Sequence, residues 1–152
     1  MRARRMVAAL VLGGATGVLA GCNPAPGEGK VEVTGAETIE ADGPEVTCPP
    51  PGSGGEVYAQ WQWEGEVDGT SVFVGFAATT PTGDVDIAAL RVGDPGSPGT
   101  RTYAAPGPPS YPPTEVVQES VDEDGTLHAT AHLVRTDGAA EVDVEVTLRC
   151  PE

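Results

Sequence analysis

Three cysteines are the residues of this 152-residue chain whose type and position point most clearly to covalent chemistry. Cys22 closes an apolar run near the start, while Cys48 ends the stretch "PEVTC" and Cys150 ends "VEVTLRC". The sequence has no G-x-S-x-G nucleophile elbow, no P-loop and no dinucleotide-binding glycine fingerprint. Its two histidines and 23 acidic residues do not select a catalytic pair by their spacing. We therefore expect no catalytic residues and no cofactor, and we expect the thiols to carry the chemistry.

Residues 1–21 have the three parts of an export signal. A basic start with three arginines is followed by an apolar run of about 15 residues, shorter than the roughly 20 that a membrane-spanning helix needs. The run ends in "LAGC", which resembles the lipobox of bacterial lipoproteins. In that family the chain is cut just before the cysteine, and the cysteine thiol is diacylated with chains such as palmitate. The resemblance therefore implies that Cys22 becomes a lipidated N-terminus. The stretch "NPAPGEGK" that follows is rich in Pro and Gly, so we expect residues 22–30 to comprise the lipidated cysteine and a short flexible tether.

The two other cysteines form an even pair in a chain that is expected to be exported, which predicts a disulfide between Cys48 and Cys150. Cys48 shares its strand parity with Val46, and Cys150 shares its parity with the valines of the last strand, so both thiols face the core. The cross-link would enclose most of a single domain over 31–152. The chain-entropy model gives such a long loop about 4.7 kcal/mol of stabilisation.

The charge of the chain limits its partners. Removal of residues 1–21 takes away three of the eight basic residues and none of the acids, so the formal charge falls from −15 to −18. Such a surface is repelled by nucleic acid and by anionic lipid. We therefore expect no nucleic-acid partner, and we expect acyl chains rather than a basic face to hold the protein at the membrane.

Alternating apolar and polar residues predict a series of antiparallel strands. A type I′ turn at Asp137-Gly138 sets a hairpin in which four inward pairs are apolar and His132 lies beside Asp143 on the outer face. The inward pairs are Leu133 with Val142, Ala131 with Val144, Ala129 with Val146 and Leu127 with Leu148. A second turn at Asp68-Gly69 pairs Trp63 with Val74 and Trp61 with Phe76. A bulged three-residue loop with Gly125 pairs Val121 with Leu127 and Val117 with Ala131.

These patterns predict an all-β domain, a small antiparallel β-sandwich or partly open barrel of seven to eight strands; an α+β fold is the alternative. Residues 93–113 carry seven prolines, so we expect a stiff surface loop there rather than a central strand. Tyr103 and Tyr111, in this loop, are expected to be exposed aromatic side chains.

Other candidate sites have simpler structural explanations. His128 and His132 have a helical ligand spacing, but on a strand four residues span about 13 Å, so no shared metal is expected. The acids at 122–125 and 84–86 lack the ligand layout of a calcium loop and are expected to be solvated turn residues. Trp61 and Trp63 are expected to pack in the core rather than form a binding platform.

The ordered motifs resemble the actinobacterial lipoprotein antigen family. They are the lipobox, "VTC", "TTPTGDVDIAALRVG", "DGTLHATAHL" and "VEVTLRC". The resemblance implies a non-catalytic, acyl-anchored lipoprotein of the cell envelope, on the extracytoplasmic face of the membrane, that presents its domain to envelope or host proteins. It also implies that Cys48 and Cys150 correspond to the family's cysteine pair. A carrier of a small apolar ligand or lipid is the alternative function, and an envelope hydrolase is a third.

Overall fold

Alternation of inward apolar and outward polar residues produces an all-β structure. The computed structural model describes residues 26–50, 58–78, 85–105 and 116–152. Cys22, Tyr111 and Asp84 of the acidic stretch 84–86 lie outside these ranges. The described strands are β1 (Glu28–Gly35), β2 (Ile39–Gly43), β3 (Val46–Thr47), β4 (Ala59–Val67), β5 (Thr70–Ala78), β6 (Ile87–Val92), β7 (Arg101–Ala105), β8 (Val116–Val121), β9 (Leu127–Arg135) and β10 (Glu141–Arg149).

The ten described strands form one antiparallel sheet that curls into a nearly closed barrel. The order along the sheet is β2-β1-β10-β9-β7-β6-β5-β4-β3, and β8 also pairs with β9. The partly open barrel is therefore confirmed, and within the described ranges neither a second sheet nor a helix supports the sandwich or α+β alternatives. The strand count exceeds the expected seven to eight. Strand β1 also begins at Glu28, so residues 28–30 belong to it rather than to the expected tether.

The inward side chains fill the barrel with valine, leucine and aromatic rings. Trp61 and Trp63 are 6% and 2% exposed, which confirms that both pack in the core. The outward positions of β1 and β10 carry mostly charged residues, as the alternating exposure of these strands shows. Each large buried side chain gains about 1.5–3 kcal/mol from leaving water, so this filled interior is the main source of stability.

Two hairpins have the predicted registers. In the β9–β10 hairpin the four inward pairs and the His132–Asp143 pair are as expected, and in the β4–β5 hairpin Trp63 lies opposite Val74. Asp68 and Gly69 both have positive φ, 50° and 75°, as a type I′ turn requires. In the β9–β10 hairpin, by contrast, the prediction of a type I′ turn at Asp137-Gly138 is wrong.

The β9–β10 connection is a wider loop with the same register. Of its two central residues only Gly138 has positive φ, 74°. Its amide donates to the Arg135 carbonyl at 2.7 Å, and Asp137 Oδ1 accepts a hydrogen bond from the Ala139 amide at 2.9 Å. The aspartate side chain thus stabilises a local turn that does not need a positive φ at Asp137 itself.

A bulge changes the register of β8. The three-residue loop forms as predicted, with Gly125 at φ 81° and Val121 opposite Leu127. The ladder then shifts by one residue between Gln118 and Ser120, so Val116 rather than Val117 lies opposite Ala131. One extra residue in a strand is the ordinary effect of a β-bulge, and a register counted from the turn alone does not include it.

The proline-rich region contains a strand, contrary to expectation. Residues 101–105, "RTYAA", form β7, which pairs with both β6 and β9. Tyr103 is 0% exposed, so its prediction as an exposed aromatic is wrong. The five residues of β7 carry no proline, and the prolines at 95 and 98 lie in the turns before it. A high proline content averaged over 21 residues therefore concealed a short segment that is able to donate ladder hydrogen bonds.

The two ends of the curled sheet meet at a seam that is closed only in its lower part, where β1 begins and β10 ends. The predicted disulfide is confirmed, with Cys48 after β3 joined to Cys150 after β10 at a Cα–Cα distance of 5.6 Å. Above it, Trp63 of β4 packs directly on Gly29 of β1, where an added Cβ would lie 2.6 Å from the indole Cδ1. Glycine allows this close approach because it has no side chain.

Replacing both Cys48 and Cys150 with alanine should lower the free energy of unfolding by about 2–5 kcal/mol, because the unfolded chain then regains the freedom of a long loop. Urea titration followed by tryptophan fluorescence measures this change. Unchanged stability of the double variant would show that the disulfide does not hold the seam.

Candidate functional site

The upper end of the barrel, where β1 turns into β2, carries a partly buried polar cluster. Glu37 in the β1–β2 loop accepts a hydrogen bond from the Tyr103 hydroxyl at 2.8 Å. The Arg101 guanidinium binds the same carboxylate through Nε and through Nη2, the second contact at 3.0 Å. The Glu37 side chain is only 12% exposed. The loop is therefore tied to β7 by one carboxylate that receives three donors.

The electrostatics of this cluster follow from its contacts. The Arg101 hydrogen bonds hold the pKa of Glu37 below its usual range, and the Tyr103 hydroxyl acts in the same direction. Burial raises the pKa of Tyr103, and the neighbouring Glu37 carboxylate raises it further. The cluster thus contains an ionised carboxylate and a neutral phenol at neutral pH. Because each group is already hydrogen-bonded to another member, the arrangement is suited to holding a loop rather than to proton transfer.

Sequence reasoning missed this cluster. Glu37 lies 64 residues from Arg101 and 66 from Tyr103 along the chain, and only the sheet order brings β1 and β7 to one end. No local motif indicates such a contact. The presence of a tyrosine and an arginine in the same short proline-free segment was the only available signal.

Glu37→Gln should lower the free energy of unfolding by about 1.5–3 kcal/mol at pH 7, because it weakens charged hydrogen bonds to a buried carboxylate. Since the pKa of Glu37 is lowered by folding, its contribution is complete above the ordinary pKa of glutamate and is lost as the pH falls through the lower folded value. The difference between wild type and variant should therefore shrink in acid.

Tyr103→Phe is the matched control, because it keeps the ring and the Arg101–Glu37 ion pair and removes only the hydroxyl. It should lower the free energy of unfolding by about 1 kcal/mol. Urea titrations between pH 3 and 7 measure both variants. A Glu37→Gln effect that does not change with pH would contradict this account.

The two histidines lie in separate environments on the outer face of β9. His132 Nδ1 is 2.8 Å from Asp143 Oδ1, and its Nε2 is 3.5 Å from Glu141. His128 Nε2 is 3.1 Å from Asp122 Oδ2. The cross-strand His132–Asp143 pair is thus confirmed. In the described part of the chain, no three His, Cys, Asp or Glu side chains are grouped to hold a metal ion.

The acidic turn at 122–125 uses its carboxylates locally. Asp124 Oδ1 accepts a hydrogen bond from the Thr126 amide at 3.0 Å, and Asp122 contacts His128. The Gly125 carbonyl accepts a hydrogen bond from Trp61 Nε1 at 2.9 Å. These bonds fix the turn over the lower end of the barrel. They do not arrange the carboxylates around one point, as a calcium loop would.

The Asp143 carboxylate raises the pKa of His132 above its ordinary value. The pair therefore stabilises the fold below the ordinary histidine pKa, and this contribution is lost as the pH rises through the folded pKa. Asp143→Asn should lower the pKa of His132 and cost less than about 1 kcal/mol, since the pair is exposed. NMR titration of the imidazole measures the pKa. Asp122→Asn, beside His128, is the control and should leave the His132 titration unchanged; an unshifted His132 in Asp143→Asn would contradict the assignment.

The described concave surfaces are open clefts between surface elements, because the interior is occupied by the core side chains. A cleft of about 770 Å³ lies at the lower end, next to Pro26 and Arg149. A shallow one of about 240 Å³ lies on the outer face beside His132 and Asp143. A third, of about 320 Å³, lies at the upper part of the seam and is lined by both β2 and β4.

Comparison of the chain with protein-family models, with curated proteins and with solved structures finds no match. Among the described residues there is no helix with the length and apolar character that a membrane crossing needs.

Proposed function

We propose that the chain is a non-catalytic lipoprotein of the cell envelope, anchored through acyl chains on Cys22, that presents its β-barrel for contacts with envelope or host proteins. The observation that carries the proposal is the close spacing of the lipobox and the barrel. Pro26 lies at the lower end of the barrel, and the first strand starts at Glu28. Four residues span at most about 14 Å, so acyl chains at Cys22 would hold the lower end of the barrel beside the bilayer.

The filled interior favours presentation over transport. A carrier of an apolar ligand needs an enclosed cavity of several hundred Å³, whereas the described core contains two tryptophans, a tyrosine and a phenylalanine in contact with one another or with valines and leucines. The presented surface is then the upper end and the outer faces of the sheet. Their acidic side chains make nucleic acid an unsuitable partner, as the charge of the whole chain also indicates.

The resemblance to the actinobacterial lipoprotein antigen family supports the same proposal. The Cys48–Cys150 disulfide agrees with the cysteine pair that this resemblance implies. The lipobox would supply the anchor.

Cys22→Ser should move the protein from the membrane fraction to the soluble extracytoplasmic fraction, because the acyl chains are the proposed anchor. Immunoblotting of fractions washed at high salt measures the distribution, and intact mass measures the acyl groups. The double variant with alanine at Cys48 and Cys150 is the control, since it removes thiols but keeps Cys22, and it should stay in the membrane. Continued firm association of Cys22→Ser would contradict the proposal.

A further inference from the structure

The upper part of the seam is a groove between two strand edges. Strand β2 pairs with β1 on one side, and within the described residues its other edge forms no ladder. Strand β4 pairs with the short β3 only at Trp63 and Gln62, with one more bond from the Glu64 amide to the Glu45 carbonyl. Above Glu64, β4 therefore also has a free edge. The two edges border the 320 Å³ cleft, called here the seam groove.

The side chains of the groove alternate as in a strand site. Ala41 of β2 and Val67 of β4 pack against the core. Glu40 and Asp42 of β2 are exposed, and so is Glu66 of β4. An extended segment placed between the strands would therefore meet an apolar floor on one face and carboxylates on the other.

A buried polar atom of one groove-lining residue has no partner. Trp63 lines the groove and is 2% exposed, yet its indole Nε1 forms no hydrogen bond with any described residue. The other tryptophan shows the contrast, since Trp61 Nε1 donates to the Gly125 carbonyl at 2.9 Å. A buried donor without an acceptor is costly, and nearly all such groups in folded proteins are satisfied. The Trp63 donor thus favours a bound acceptor, such as a backbone carbonyl.

The charge of the groove limits the kind of partner. No lining residue of the groove is Lys or Arg. Five of them are acidic: Glu40, Asp42, Glu45, Glu66 and Asp68. A second copy of this strongly acidic chain would bring the same charge and be repelled. The complementary occupant is a basic segment.

We propose that the seam groove binds an extended, positively charged segment of another protein, which adds as a strand between β2 and β4 and completes the barrel. Backbone groups of the segment pair with the free edges, its apolar residues cover Ala41 and Val67, and its basic residues face the carboxylates. This inference rests on the proposed function, because it assigns a site and a partner class to a domain that presents itself to proteins.

The test uses the full chain in mild detergent and the acetylated, amidated octapeptide (Lys-Val)₄ at concentrations where the peptide is monomeric. Calorimetry measures affinity, and NMR follows the indole N–H signals of Trp63 and Trp61. The expected result is saturable binding that shifts Trp63 and not Trp61. The same peptide with alternate backbone amides methylated keeps its charge but cannot form the ladder, and it should not bind. Equal binding of the methylated peptide would overturn strand addition in favour of simple charge attraction.

Charge-reversal variants locate the site. Glu40→Lys and Glu66→Lys should each weaken binding of the peptide about fivefold. Asp94→Lys, in the β6–β7 loop outside the groove, changes the net charge equally and should have less than about a twofold effect. Equal losses in all three variants would overturn the assignment to the groove. Self-association that the peptide disrupts would assign the groove to a second copy instead.

The two proposals fail in different measurements. Loss of membrane association in Cys22→Ser depends on the acyl anchor and not on the groove. Absence of peptide binding by a correctly anchored chain would overturn the groove alone. A wild-type chain that binds the peptide but carries no acyl groups on Cys22 would overturn the anchor alone.

Discussion

Closure of the lower part of the seam is the constraint on which the rest of the barrel depends. A single sheet of this length has two edges, and the fold is defined only when those edges are brought together. The Cys48–Cys150 bond joins the segment after β3 to the end of β10, across the seam. The contact of Trp63 with Gly29 extends the closure upwards by packing rather than by a ladder. The Trp63 contact depends on glycine, because a Cβ at Gly29 would occupy the space of the indole ring.

The closed lower end and the open upper seam divide the molecule by role. The first strand begins at the lower end, six residues after Cys22, so this end faces the bilayer in our proposal. The upper end is held by the Glu37 cluster, which fixes the β1–β2 loop on β7. The seam groove lies between the two closures, where β2 and β4 approach without pairing. The barrel is therefore held by contacts at both ends and has one incomplete stretch of sheet between them.

The cationic side chains of the surface are already paired with carboxylates. A binding partner therefore meets a more negative surface than the composition indicates. The four described arginines each contact a carboxylate, in the pairs Arg91–Glu64, Arg101–Glu37, Arg135–Asp137 and Arg149–Glu28. The remaining carboxylates far outnumber the one lysine of the domain. Apart from Arg101–Glu37, these pairs are exposed and add little stability. Their effect is to leave no free guanidinium near the seam groove, since none of its lining residues is basic.

The local features of this fold could be predicted from sequence, and the long-range features could not. The registers of the two hairpins follow from strict alternation and a turn of known length, so Trp63–Val74 and His132–Asp143 were predictable. The disulfide followed from the parity of Cys48 and Cys150 and from the predicted export signal. The strand β7 was missed because prolines flank a short proline-free segment. The Glu37 cluster and the seam groove join residues from strands far apart in the chain, and single-sequence patterns carry no information on how a sheet curls.

Amide hydrogen exchange of the full chain before and after disulfide reduction tests the closure most directly, because it reports opening strand by strand. On this account, reduction should increase exchange first in β3, in the part of β4 near Trp63 and in the start of β1, while the β9–β10 hairpin keeps its protection. Equal acceleration in every strand, or no change at the seam, would contradict the claim that this cross-link holds the barrel closed.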